Sequence, residues 1–219
     1  MISVEMVLFW GQSFARRADL GKAGGYENIY HDLLDELKAV DLAQAAKILN
    51  LAYNPAGHVE VVCMGKTYLI ENGGIHTQDG KAAATAPGSV LAGYIIQKGR
   101  GEPAGKFVSF DSITGLVPAR SSYSSTSLEA RLAKYAEQDP TRFHEAVVKS
   151  GGRSGGEVGS GGQSWIIQLL PKIPVQVVFY MGDKEFPSAA RLLIDQAAVN
   201  FLEFEFLAVL ATIFVEQLK

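Results

Sequence analysis

The chain has one cysteine, and this scarcity excludes several kinds of site at once. Cys63 alone cannot form an intramolecular disulfide, a CxxC redox motif or a cysteine-ligated cluster. Its neighbours in Val61-Val62-Cys63-Met64 are apolar, so the sequence predicts a buried strand thiol that packs as a small hydrophobe. The alternative, a reactive nucleophile, requires an exposed thiol in electropositive surroundings.

Clustered positive charge and long apolar runs are also missing. The formal net charge is −3, and basic residues are scattered apart from Arg16-Arg17, so the chain has no electrostatic footprint for nucleic acid. The apolar run Met6 to Trp10 is far shorter than the ~20 residues of a membrane span, and its flanking charges reverse the order of a signal peptide. We expect a cytoplasmic protein that binds neither nucleic acid nor membrane, with residues 1–24 as an N-terminal extension.

Histidine pairs with metal-ligand spacing are absent as well. The four histidines are dispersed, and none forms an HxH or HxxxH pair: His31, His58, His76 and His144. Surface or singly bonded histidines are the simpler interpretation. The sequence therefore predicts no metal site and no bound cofactor.

Helical periodicity is present at both ends of the chain. Apolar residues recur at helical spacing from Tyr26 to Leu37, and Asp41 is placed to cap a second helix over 42–49. Asp139-Pro140 has the pattern of another helix start. The final helix, about Glu203 to Leu218, is apolar on two faces, which predicts either deep burial or a homodimer interface.

Strand patterns fill the space between these helices. His58–Met64 and Thr67–Glu71 have the pattern of a hairpin around Gly65-Lys66. Further strands are predicted over Lys106–Ile113, Trp165–Leu170, Val175–Met181 and Ala190–Ile194. The expected fold is α+β, a predominantly antiparallel sheet with helices packed on it, in a single domain over residues 25–219.

The stretch Ser150–Ser164 is the most biased in composition. It holds seven glycines and no large apolar side chain, so we expect a flexible surface loop that packs against nothing. It matches neither GxxxxGK[ST] nor GxGxxG, which argues against phosphate binding.

The sharpest candidate site is the acidic stretch 183–195. Asp183, Glu185 and Asp195 could together bind a hard cation such as magnesium or calcium, or another ligand. Arg120, beside SSYSSTS, could clamp an anionic group of such a ligand. The simpler interpretation is that the carboxylates are turn residues, since Asp195 lies toward the opposite end of the following strand in a tight hairpin. In that interpretation Phe186 anchors the turn in the core.

Three stretches carry a resemblance to a known family: GKTYLI (65–70), LLPKIPVQVVFYMGDKEFPSAARLLID (169–195) and FLEFEFLAVL (201–210). The chain resembles the bacterial and archaeal domain of unknown function DUF3786 from about residue 26 to its end. The resemblance implies no reaction. It does imply an anaerobic setting, and some relatives are fused to a cysteine-rich iron–sulfur module, which the cysteine-free extension of this chain does not match.

Two functions are therefore kept as hypotheses. The first is a non-catalytic binding or accessory protein of anaerobic-type metabolism that acts through a protein partner or a small ligand. The alternative is an enzyme, or a ligand- or metal-binding protein, that uses the acidic stretch 183–195.

Overall fold

A computed structural model describes residues 25–113, 125–159 and 161–219. Its helices are α1 (Gly25–Lys38), α2 (Leu42–Leu49), α3 (Thr85–Gln97), α4 (Phe110–Ile113), α5 (Ser125–Gln138), α6 (Pro140–Lys149) and α7 (Phe204–Gln217). Its strands are β1 (Ala52–Asn54), β2 (His58–Cys63), β3 (Lys66–Glu71), β4 (Gly74–Thr77), β5 (Phe107–Ser109), β6 (Gly152–Val158), β7 (Gly162–Leu170), β8 (Ile173–Tyr180) and β9 (Ala189–Asp195). The predicted extension 1–24 and Arg120 lie outside the described residues.

Two helices begin at the aspartates that the sequence identifies as caps. The Asp41 carboxylate accepts the Gln44 N–H at 2.9 Å, and α2 follows directly. The Asp139 carboxylate accepts the Arg142 N–H at the same distance, and Pro140 occupies the first helical turn of α6, where its missing N–H costs nothing. Both predicted starts are confirmed.

The first sheet is an antiparallel meander in the order β1-β2-β3-β4. The predicted hairpin joins β2 to β3, with its turn one residue earlier than expected, at Met64-Gly65. Both turn residues have positive φ, 49° and 75°, which matches the twist of a two-residue hairpin. A Cβ on Gly65 would lie 2.3 Å from the Lys149 carbonyl oxygen, so this position needs glycine.

The second sheet has the order β5-β9-β8-β7-β6, again antiparallel throughout. The prediction of one strand over Lys106–Ile113 is only partly right, because the strand stops at Ser109 and the buried Phe110 starts helix α4. Beyond the end of β5, helix α5 lies against the same edge of β9. There the Glu129 carboxylate accepts the Leu192 N–H at 3.2 Å. That side-chain bond takes the place of a longer β5.

The predicted flexible loop over Ser150–Ser164 is wrong. Strand β6 and the first residues of β7 occupy most of it, and β6 pairs with β7 as the edge of the second sheet. The glycines there serve close packing rather than mobility: a Cβ on Gly152 would meet Val147 at 2.5 Å, and one on Gly162 would meet the Tyr180 ring at 2.6 Å. Gly152 lets the edge strand β6 approach α6, and Gly162 lets the start of β7 lie against Tyr180 of β8.

One core cluster joins both sheets and the helices. The sheets meet where the Met64 N–H bonds to the Leu169 carbonyl at 3.0 Å. Helix α3 is buried from Gly88 to Ile95. Most apolar residues of α7, including the fully buried Phe214, are buried within the chain. None of the described helices has the length and apolar character needed to cross a bilayer. The α+β class and the single-domain arrangement are confirmed.

Candidate functional site

The acidic stretch begins in the connection between β8 and β9, residues 181–188, which we call the β8–β9 turn. Tyr180 pairs with Ala189 across the two strands, so the turn closes one end of the second sheet. The β6–β7 hairpin ends beside it, because Gly162 lies against the Tyr180 ring.

Asp183 organises the turn through its side chain and its backbone. One carboxylate oxygen, Oδ1, accepts the N–H of Glu185 at 2.7 Å and of Phe186 at 2.9 Å. The Asp183 N–H in turn bonds to the Phe186 carbonyl at 2.9 Å. The N–H groups of Phe186 and Glu185 hold the pKa of Asp183 below its usual value, since they favour the charged form. The predicted role of Asp183 as a turn carboxylate is consistent with this geometry.

The base of the turn is closed by polar contacts that cross to a helix. The Gly182 N–H bonds to the Ser188 hydroxyl oxygen at 2.9 Å, and that hydroxyl donates to the Glu137 carboxylate on α5 at 3.1 Å. A Cβ on Gly182 would lie 2.5 Å from the Ser188 nitrogen, so the crossing requires glycine. The turn is thus an ordered element fixed at both its tip and its base.

Phe186 does not anchor the turn in the core, and that prediction is wrong. Its side chain is 68% exposed, and Met181 at the start of the turn is 64% exposed. The backbone of Phe186 closes the turn through its two bonds to Asp183, so no buried side chain is needed. The result is an aromatic and a thioether side chain held in solvent by a fixed backbone.

Asp195 lies at the far end of β9, about 20 Å from the turn at the rise of an extended strand. It is fully buried, and its carboxylate accepts the N–H groups of Ala104 at 2.9 Å, Gly105 at 2.7 Å and Ala197 at 2.8 Å. It therefore ties the loop before β5 to the end of β9. The structure brings Asp183 and Glu185 together but leaves Asp195 apart from them.

The described residues support neither a reactive thiol nor a cluster of metal ligands. Cys63 is 1% exposed, and burial raises the pKa of its thiol to about 12, which confirms a core hydrophobe rather than a nucleophile. Within the described ranges, no three His, Cys, Asp or Glu residues gather as metal ligands would. The β8–β9 turn combines order and charge with the two most exposed large apolar side chains of the described residues, Phe186 and Met181.

Sequence reasoning found the acidic residues of this site but missed its apolar part. Asp183 two residues before Glu185 is a readable signal for a side-chain-capped turn. The exposure of Met181 and Phe186 had no such signal, because large apolar residues are usually buried. The hydrogen bond from Ser188 to Glu137 joins residues 51 apart in sequence, and no local sequence pattern predicts it.

Comparison with known proteins gives one match, to a family. No curated protein and no solved structure matches the chain. The family model for DUF3786, a domain of unknown function, matches residues 41–217, which include both sheets and the β8–β9 turn. The chain therefore belongs to the DUF3786 family.

Proposed function

We propose that this chain is a non-catalytic accessory protein that binds a protein partner through the β8–β9 turn. The observation that carries the proposal is the ordered turn with Phe186 and Met181 exposed at 68% and 64%. Aromatic residues and methionine are enriched at protein interfaces, and a few aromatic anchors usually supply most of the binding energy. A turn that is already fixed by hydrogen bonds loses little conformational entropy on binding.

The charges of the turn indicate what the partner surface offers. Asp183 and Glu185 contribute two carboxylates against the single ammonium of Lys184, and the Glu137 carboxylate lies at the base. The matching surface is an apolar pocket that takes Phe186, surrounded by a basic rim. Rim charges of this kind raise the rate of association, and this effect decreases as salt screens the charges.

Other partner surfaces are supported less well. The sequence offers α7 as a homodimer interface, but most apolar residues of that helix are buried within the chain and only Val209 and Ile213 are partly exposed. Membership of DUF3786 supports a role in anaerobic-type metabolism, as the resemblance implies, and a cytoplasmic location stays the expectation from the N-terminal sequence. If an iron–sulfur module takes part, the partner supplies it, because Cys63 is buried and is the only cysteine of this chain.

Site-specific photo-crosslinking tests the proposal. A photoreactive phenylalanine analogue placed at position 186 should give a discrete crosslinked product in an extract of the source organism. The matched control carries the analogue at Val62, which is also exposed, at 49%, but lies on the first sheet. A product at position 186 that is absent at position 62 supports the proposal. Identical products at both positions, or no product at 186, would contradict it.

A further inference from the structure

A second candidate site lies in a groove between helix α6 and the β6–β7 hairpin. The groove has a volume of about 290 Å³, and its lining comprises His144, Ser154, Gly156, Glu157, Gln163, Ser164 and Trp165. It contains none of the residues of the β8–β9 turn, so this inference does not rest on the proposed protein partner.

A β-bulge brings the polar side chains of β6 to one face of the sheet. Ser154 pairs with Trp165 and Glu157 with Gln163, and the register shifts between Ser154 and Gly156. In a regular strand, residues three apart point to opposite faces, whereas the extra residue of the bulge restores both to the same face. Ser154 and Glu157 therefore share the face on which Trp165 lies.

The bulge is fixed by glycine and by two serine hydroxyls. Gly156 has a φ of 80°, which suits glycine, and its carbonyl accepts the Ser164 hydroxyl at 2.9 Å. The Gly156 N–H bonds to the Ser154 hydroxyl oxygen at 3.3 Å, and a Cβ on Gly155 would lie 2.6 Å from the Ser164 hydroxyl oxygen. These contacts fix the backbone of the bulge, and they therefore also fix the backbone position of Glu157, the next residue.

Trp165 sets the tautomer of His144. The indole N–H, which can only donate, bonds to Nδ1 of His144 at 3.1 Å. Nδ1 must therefore carry no hydrogen, and the neutral ring has its hydrogen on Nε2. In the groove, His144 is a neutral hydrogen-bond donor, and the buried Trp165 beneath it is 6% exposed with its own N–H already used.

We propose that this groove binds a small zwitterion of amino-acid size. Glu157 gives the lining its one formal charge and matches an ammonium group. The Nε2–H of His144 and the side-chain amide of Gln163 are neutral donors for the carboxylate of the same ligand. A volume of about 290 Å³ lies close to the lower end of small-molecule sites, which suits a ligand of amino-acid size.

The test uses the Trp165 indole N–H signal in two-dimensional NMR of the full chain, assigned by its persistence in Trp10→Phe. Glycine, L-alanine and L-serine are titrated, each against its N-acetyl derivative, which lacks the ammonium group. We expect a saturable shift of the Trp165 signal by at least one amino acid with a dissociation constant near or below ~1 mM, and at least ~10-fold weaker binding of its acetylated form.

Matched variants separate the groove from the rest of the surface. Glu157→Gln should weaken binding at least ~10-fold, whereas Glu145→Gln, the same change on the exposed part of α6 outside the lining, should not alter it. An unchanged position of the unbound Trp165 signal in Glu157→Gln confirms that the variant keeps the His144 bond. Three results would each overturn the proposal: no saturable shift by any of the amino acids up to ~10 mM, equal binding of the acetylated forms, or undiminished binding by Glu157→Gln.

Discussion

Replacing each of the two aspartates of the acidic stretch by asparagine tests the roles assigned to them. Asp195 is fully buried and accepts three backbone N–H groups, two at Oδ1 and one at Oδ2. Asparagine offers one oxygen, which can keep the two bonds from Ala104 and Ala197. Its amide nitrogen then faces the Gly105 N–H, so two donors meet without an acceptor.

The cost of Asp195→Asn is set by those bonds. An unsatisfied buried donor costs about 1–3 kcal/mol, and each remaining bond weakens because its acceptor is no longer charged. We expect a loss of about 2–4 kcal/mol in the free energy of unfolding, partly offset because no charge has to be buried. For a chain of this length the loss lowers the melting temperature by roughly 5–15 °C.

Asp183→Asn is the matched comparison. The backbone N–H groups of Glu185 and Phe186 both donate to the same oxygen of Asp183, Oδ1. An asparagine oxygen can accept both, and the side chain is exposed. We expect its melting temperature to change several-fold less than that of Asp195→Asn. Thermal and urea unfolding of the two variants decide the matter. Equal effects at both positions, or an Asp195→Asn variant as stable as the wild type, would refute this account of the acidic stretch.

Further predictions concern Arg153, Cys63 and the pH response of the turn. Trypsin should leave Arg153 uncut while the fold is intact, because it lies in β6 and pairs with Ile166; early cleavage there would contradict the edge strand. Cys63 should react with a maleimide only as fast as the protein opens, and rapid labelling of the native protein would contradict its burial. The Asp183 carboxyl should titrate below its usual pKa, so its contribution to turn stability is present above pH ~4 and is lost as the pH falls through the lowered value. NMR titration of that carboxyl measures this, and a midpoint at the ordinary value would count against the turn geometry.

The sequence predicted the elements whose signals are local. Asp41 and Asp139 predict the starts of their helices because a cap bond forms within one helical turn. Gly65 predicts the first hairpin because a two-residue turn needs residues with positive φ. These features depend only on neighbouring residues, and that is why they agree with the structure.

The errors arose where distant residues decide the outcome. Glycine predicts flexibility and close packing equally well, and only the nearness of Val147 to Gly152 and of Tyr180 to Gly162 makes close packing correct for the β6–β7 hairpin. The shortened β5 depends on Glu129 of α5 reaching β9. Phe186 is exposed because its own backbone closes the turn, so the rule that large apolar residues are buried does not apply to it.

The candidate sites show the same division. The pairing of Asp183 with Glu185 in one turn could be read from their spacing, whereas the groove on the β6–β7 hairpin could not. Its geometry depends on the bulge in β6, and a bulge is defined by register with a partner strand rather than by the composition of one strand. His144 enters the groove only because α6 packs on that face.

The role of Phe186 as an anchor is measured by purifying the partner that crosslinking identifies and determining its affinity for wild-type and Phe186→Ala protein. If Phe186 is the interface anchor, its truncation should cost at least ~2 kcal/mol, a roughly thirtyfold rise in the dissociation constant, with the melting temperature unchanged because the side chain is 68% exposed. Val62→Ala, the control at an exposed position on the first sheet, should bind as the wild type does. A dissociation constant that is the same for all three proteins would contradict the claim that the β8–β9 turn is the binding element.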